Sequence, residues 1–484
     1  MALSDAMILL LNPWWTNPAW AEADPHLAAL RTAPISLAAA EFTTSIDTRQ
    51  PATHIIRGPR QVGKSTGLKV LIRDLLEARP DTARSVIYLN LDLLEDQPVQ
   101  ELATTIMRAK DLAAAGEAPC LLLLDEVTVI PKWARAVKAV WDGGVTRHDC
   151  VVCTGSSAID LASQQLEALP GRRQAGQDHL LLPQSFAGFA RALDATIPAA
   201  PRLTIAQMLS PDGRAVIEEH RAHLPVLRRM LDRYLVFGGL PISIGAAASG
   251  QLVPSVEVQR VVWDSVSREV RKRGASDPAL RALLERVIRS LASKTSWPTL
   301  AREMDMALGG RKVPPDPRSV HGYIEFLCQC YELMTIYFWK SNGGANDLSR
   351  DKKLYFADPL LQAVVRERTP GLQLDVPASV ENAFALHLYR RYESANRQAD
   401  GFHDPDAVHA YETQTPREID FICGPRDQPE LAEVKFQRGA SLAAALPIRR
   451  AFPGRPGFVA SIDTLEFDGD VAIIPAALAL WALG

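Results

Sequence analysis

Residues 57–66 read Arg-Gly-Pro-Arg-Gln-Val-Gly-Lys-Ser-Thr, and no other stretch constrains the fold as strongly. Gly58, Gly63, Lys64 and Ser65 occupy the four fixed places of the pattern G-x-x-x-x-G-K-[ST]. Ile55-Ile56 before the loop reads as the end of a strand, and Gly67-Leu-Lys-Val-Leu-Ile72 after it is helix-competent. That strand–loop–helix order is what phosphate binding requires. The loop of Gly58, Pro59, Arg60, Gln61, Val62, Gly63, Lys64, Ser65 and Thr66 would wrap around phosphate oxygens at a helix N-terminus, with the backbone N–H groups of its residues other than Pro59 as donors. Lys64 would reach the β- and γ-phosphates, and the Ser65 hydroxyl would join a Mg²⁺ shell. The expected cofactors are ATP and Mg²⁺.

At 484 residues the chain is too long for one compact core, so several domains are expected. Its formal charge of −3 means that a nucleic-acid site would have to be a local patch. The run Met7-Ile-Leu-Leu-Leu11 is short and lacks a preceding basic residue, so neither a secretion signal nor a membrane span is expected, and the location expected is cytoplasmic. The 6 cysteines do not suggest a disulfide framework in a chain of this size. Cys150 and Cys153 lie in a strand-like run that points them to opposite faces, so the C-x-x-C spacing reads as packing.

From residue 50 to about 195, strand-like runs alternate with amphipathic stretches, the pattern of a parallel α/β sheet. Ser85–Leu91 reads as a second strand. Cys120-Leu-Leu-Leu-Leu-Asp125-Glu126 reads as a third, buried on both faces and ending in an acid pair of the Walker B type. Asp125 would hold the metal shell, and Glu126 would polarise the attacking water. The fourth strand ends in Thr154-Gly-Ser156-Ser157, where Ser156 is the candidate for orienting that water, with a helix N-cap as the alternative. Arg172, in Pro170-Gly-Arg-Arg173, is the candidate to act on ATP in a neighbouring subunit, or else ties down a loop.

These blocks together resemble the AAA+-type ATPases of archaea and bacteria that carry a C-terminal domain of unknown function. The resemblance rests on Asn12-Pro-Trp-Trp15, the Arg57–Thr66 loop, Leu124-Asp-Glu-Val127, Pro131-Lys-Trp133, Thr154-Gly-Ser-Ser157 and Gly171-Arg172. It extends to Leu182-Pro-Gln-Ser-Phe186 and Tyr234-Leu-Val-Phe-Gly-Gly-Leu-Pro241. The tandem Arg172-Arg173 departs from the family pattern and leaves the finger between two arginines. Trp14 and Trp15 read as anchors for the N-terminal segment. The resemblance implies an ATPase core over 1–196, a helical lid over 197–275, a winged helix over 276–368 and a nuclease-like domain over 369–484. It also makes a homo-oligomer a candidate assembly.

Beyond the core, helical patterns at Pro278–Leu291, Trp297–Met306 and Pro317–Tyr331 precede strand-like runs at Glu332–Phe338 and Lys353–Phe356, the order of a winged helix. Arg318 and His321 on its third helix, with Arg311 and Lys312 before it, are the groups such an element would offer DNA. Further on, Asp420 in one strand and Glu433-Val-Lys435 in the next form the core pattern of the PD-(D/E)xK nuclease fold. Asp420, Glu433 and an upstream helical Glu381 would ligate a divalent metal, and Lys435 would activate water against a phosphodiester. Two functions follow. ATP hydrolysis gates cleavage of nucleic acid, or a nucleotide switch controls a non-cleaving module that binds DNA or protein.

Overall fold

The computed structural model describes residues 2–34, 42–95, 97–113, 119–156, 176–272, 276–307, 316–339, 351–400, 404, 406–412 and 418–484. The chain divides into two compact units, Met1–Leu182 with Gln329–Tyr331 and Pro183–Cys328 with Glu332–Gly484.

The first unit is built on a five-stranded sheet in the order β2-β3-β4-β1-β5. Its strands are β1 (Ala52–Arg57), β2 (Val86–Asn90), β3 (Leu121–Asp125), β4 (Cys150–Gly155) and β5 (Asp178–Leu180). Every pairing is parallel. Parallel strands are covered on both faces, which is why β1, β3 and β4 read as unbroken buried runs rather than alternating ones. Cys120, Cys150 and Cys153 are buried within this core and form no disulfide.

β2 is an edge strand, and the N-terminal segment covers it. Asn12 presents its side-chain amide as a surrogate peptide: Nδ2 donates to Tyr88 O at 3.0 Å, and Oδ1 accepts from Tyr88 N at 2.7 Å. The indole N–H groups of Trp14 and Trp15 both donate to Val86 O, at 3.0 and 2.9 Å. The tryptophans are the anchors expected of them. Behind them Lys69 lies 3.6 Å from the Tyr88 ring centroid, and burial pushes its ammonium down to about 8.

The second unit begins with helices, among them Phe186–Leu193, Leu224–Phe237, Pro241–Ala248 and Val256–Lys272. Helices Asp277–Arg289, Trp297–Ala307 and Pro317–Gln329 lead into an antiparallel pair, β6 (Leu333–Tyr337) and β7 (Lys352–Phe356). After the 25-residue helix Val376–Asp400 comes a six-stranded mixed sheet, ordered β12-β13-β11-β10-β9-β8. Its strands are β8 (Val408–Glu412), β9 (Glu418–Cys423), β10 (Glu430–Val434), β11 (Gly457–Ser461), β12 (Glu466–Asp468) and β13 (Val471–Pro475). β8-β9-β10 are antiparallel, whereas β11 runs parallel to β10 and to β13. The final helix, Ala476–Leu483, is buried throughout.

The segments around Gln184 and Gly239 meet within this unit. Gln184 N donates to Gly239 O at 2.8 Å, and a Cβ on Gly239 would lie 2.1 Å from Gln184 O, so only glycine fits. Asp358 Oδ2 accepts from Gly239 N at 2.7 Å, while its Oδ1 caps the helix Pro359–Glu367 through Leu360 N at 2.8 Å. His387 completes the junction: its Nε2 accepts from Phe186 N at 2.7 Å, and its Nδ1 donates to Ala383 O at 2.7 Å.

That bonding requires the neutral imidazole. Burial, assisted by Arg390, pushes His387 down from its ordinary value to about 3. The folded state therefore refuses a proton that the unfolded chain accepts, and stability present above about 6.5 falls as pH drops from there toward 3. Denaturant titrations between pH 7 and 5 should show this unit losing up to about 1.4 kcal/mol per pH unit from this one group. His387→Gln should flatten that slope at some cost in stability at neutral pH.

Candidate functional site

The loop between β1 and the helix Lys64–Ala78 owes its path to glycine. Gly63 caps the helix with φ 104°, a left-handed conformation that disfavours a side chain. A Cβ on Gly58 would meet Leu181 O at 2.0 Å. The Lys64 ammonium bends back over the loop and donates to the carbonyls of Gly58 and Pro59, both at 2.8 Å. Thr66 is held by His26, whose Nδ1 lies 3.1 Å from the Thr66 hydroxyl. Gly67 follows where a Cβ would strike the Phe42 ring at 2.4 Å, so the helix packs tightly against that aromatic.

β4 lies between the loop strand β1 and the acid strand β3. Thr154, near the end of β4, links the acid pair. Its hydroxyl donates to Asp125 Oδ1 at 2.5 Å and accepts from Glu126 N at 2.9 Å. Tyr88 on β2 donates to the other Asp125 oxygen at 2.7 Å. Glu126 adopts φ 60°, a strained turn for a residue bearing a side chain, and its Oε1 accepts from Ser156 at 2.6 Å and Thr128 at 3.1 Å. Burial acts to raise the Glu126 carboxyl, but the charges of Lys64 and Arg60 and the Ser156 bond hold it below its ordinary value. It is therefore a carboxylate at neutral pH.

The fold thus brings Asp125, Glu126 and Ser156 onto one end of the sheet, with Lys64 and Arg60 facing Glu126. Ser65 and Asp125 offer hard oxygens of the kind Mg²⁺ takes. Arg172 and Ser157, with Arg311 and Lys312 further on, lie outside the described residues. Sequence reasoning missed Tyr88 and Thr154; the hydroxyl of Thr154 beside Gly155 was the available signal.

A second cluster lies in the other unit. Asp420 on β9 and Glu433 on β10 are buried beside Glu381 on the helix Val376–Asp400. Asp420 Oδ2 accepts from Val434 N at 2.9 Å, Glu433 Oε2 from Asp420 N at 3.2 Å, and Glu433 Oε1 pairs with Lys435 at 2.7 Å. The four expected residues do converge. Lys353 on β7 is a fifth member that the motif does not contain. Its Nζ lies 2.9 Å from Glu381 and 3.0 Å from Asp420, and it also pairs with Glu418. Tyr355, two residues on, donates to Glu381 at 2.6 Å. Burial acts to lower the Lys353 ammonium, but Asp420, Glu381 and Glu418 outweigh it and hold the group charged, well above its ordinary value. Burial, with the Asp420 charge, raises both Glu381 and Glu433.

The residues fit a divalent metal poorly, because the buried Lys353 ammonium already stands among the carboxylates that would ligate it. Among the described residues no group of three or more His, Cys, Asp or Glu side chains is arranged to hold a metal ion. On the helix Pro317–Gln329, Arg318 is exposed, but the His321 ring packs 4.5 Å from that of Trp297. The imidazole is a packing group there. Among the described residues no helix is long and apolar enough to cross a membrane.

Thr154→Val keeps the side-chain volume but orphans Asp125 Oδ1 and Glu126 N. Thermal or urea unfolding should show the first unit destabilised by about 2 kcal/mol.

Residues 50–190 match the family model described as an AAA domain, and residues 228–370 match a domain of unknown function (DUF8612). A curated relative from Haemophilus influenzae, described as an uncharacterized protein, is 27% identical over 118 residues, which are 24% of this chain and 28% of the relative. The match therefore spans little more than a quarter of that relative's length. Among solved structures, the Aeropyrum pernix ORC1 protein in complex with DNA is 15% identical, with 73% of this chain and 96% of that chain covered and a TM-score of 0.32. The A. pernix ORC2 protein in its ADPNP-ADP complexes is 14% identical, with 72% and 93% covered and a TM-score of 0.36. Cdc6p from Pyrobaculum aerophilum is 14% identical, with 66% and 89% covered and a TM-score of 0.24. Such scores are too low to define a shared arrangement over those lengths. Residues 50–190, which match the AAA-domain model, carry the loop, the acid pair and the parallel sheet described above.

Proposed function

We propose that the chain is an ATPase that hydrolyses ATP with Mg²⁺, and that its nucleotide state controls the C-terminal unit. The observation that carries this reading is the meeting of the Gly58–Thr66 loop with Asp125 and Glu126 across β4. The loop amides and Lys64 bind the β- and γ-phosphates, and Mg²⁺, when bound by Ser65 and Asp125, neutralises charge on those oxygens. Tyr88 and Thr154 orient Asp125. Glu126, ionised and aimed by Ser156, positions the attacking water and accepts its proton.

Lys64→Ala should abolish ATP binding measured by isothermal titration. Glu126→Gln should bind ATP normally and lose turnover; a normal turnover rate in that variant would overturn the assignment. Ser156→Ala should leave affinity unchanged and lower kcat about tenfold, since a hydrogen bond to a charged group contributes about 1.5 kcal/mol. A lower ATP-binding stoichiometry in the variant would instead mark a folding defect, since misfolded protein lowers apparent kcat without moving KM.

For the second unit, the order helix, β8-β9-β10, helix, β11 and the acid pattern on β9 and β10 support a nuclease-like fold, and β6-β7 after three helices supports a winged helix. DNA or a protein is the partner such modules take, and a homo-oligomer is the candidate assembly. Cleavage and non-cleaving recognition divide on whether the acid cluster takes a metal. The ammonium inside it favours recognition without cleavage.

A further inference from the structure

We infer that Lys353 is the permanent cation of the acid cluster, so that the site takes no divalent metal and the nuclease-like fold serves as a non-cleaving module. This rests on reading the sheet as nuclease-like and concerns what the sheet has become. An ammonium carries three donors, and here three carboxylates surround it: Glu381, Glu418 and Asp420. The side chain is 1% exposed. A two-metal or one-metal phosphodiesterase needs open positions for water and a phosphate oxygen. Each of the four oxygens of Asp420 and Glu433 already has a protein donor, and at Asp420 one of those donors is a buried ammonium. Lys353 and Val434 N take those of Asp420, and Lys435 and Asp420 N take those of Glu433. Glu381 Oε1 accepts from both Lys353 and Tyr355.

Retreat of the ammonium is opposed by the backbone. Lys353 pairs with Ile336 in the β6-β7 ladder, and Lys352 beside it is bridged to Thr295 by backbone bonds of 2.9 and 3.0 Å while its Nζ rests 4.1 Å from the Trp297 ring centroid. The cluster thereby joins β7, the helix Val376–Asp400 and β9. A cation supplied by the chain does what a metal would otherwise do for the carboxylates, but a Lys ammonium cannot activate water as a Lewis acid.

The test is Mn²⁺ binding to the full-length protein carrying Lys64→Ala, which removes nucleotide-bound metal, followed by electron paramagnetic resonance of free Mn²⁺. The parent should show no stoichiometric site. Adding Lys353→Met should create one site per chain, removed again by Asp420→Asn, and millimolar Mn²⁺ should raise the melting temperature only where Lys353 is replaced. A parent site that Asp420→Asn abolishes would overturn the proposal without reliance on the Lys353 variant. So would Mn²⁺-dependent cutting of linear or circular DNA by the intact protein, lost in Lys435→Ala. A folded Lys353→Met protein that binds no Mn²⁺ would overturn it too, and would count against the nuclease-like reading of the sheet. ATP turnover is read separately, so failure of the ATPase assignment leaves these outcomes unaffected.

Discussion

Burying charge at the ends of strands is the constraint on which both units depend. A carboxylate withdrawn from water costs several kcal/mol unless donors replace the lost hydration. Asp125 meets that cost with two hydroxyls, from Tyr88 and Thr154, on the strands flanking β3. Neither oxygen has to be satisfied by a fixed cation, so the carboxylate remains able to take part in a metal shell. The same problem at Asp420 is solved differently: a lysine from a separate hairpin is driven into the cluster. The first solution preserves reactivity, and the second consumes it.

The first solution is possible because of strand order. With β4 between β1 and β3, the loop after β1 and the acids after β3 face one another across a strand that ends in small hydroxyl side chains. Thr154 and Ser156 hold the acid pair there through their hydroxyls, one to Asp125 and the other to Glu126. Glu126 completes the arrangement at φ 60°, which costs on the order of 1 kcal/mol and turns its carboxylate toward Lys64. Strain at this position is retained by the bonds to Ser156 and Thr128.

In the second unit, the segments around Gln184 and Gly239 acquire a structural meaning. They are one junction, in which Gly239 admits the Gln184 backbone, Asp358 caps a helix while binding Gly239 N, and neutral His387 receives Phe186 N. Each group satisfies a backbone donor that packing alone would leave unpaired. The glycines of Gly238-Gly239 are therefore required by close approach, not by flexibility.

Much of this was legible without coordinates wherever the information is local. The phosphate loop and the acid pair after four leucines are set by residues within a few positions of each other, and in the D…E-x-K pattern Asp420 lies 13 residues before Glu433. Period-two alternation even placed Glu433 and Lys435 on one face, and the same rule pairs Glu418 with Asp420 and Lys353 with Tyr355. The partners of those faces could not be read, because they come from distant segments. Lys353 lies 67 residues before Asp420, Asn12 lies 76 before Tyr88, and Phe186 lies 201 before His387. Sequence determined which groups can bind phosphate, hold charge or form a strand, since those properties belong to residues and their immediate spacing. Tertiary structure alone decided which buried charge met a hydroxyl and which met an ammonium, because desolvation is settled by whatever the fold brings within 3 Å.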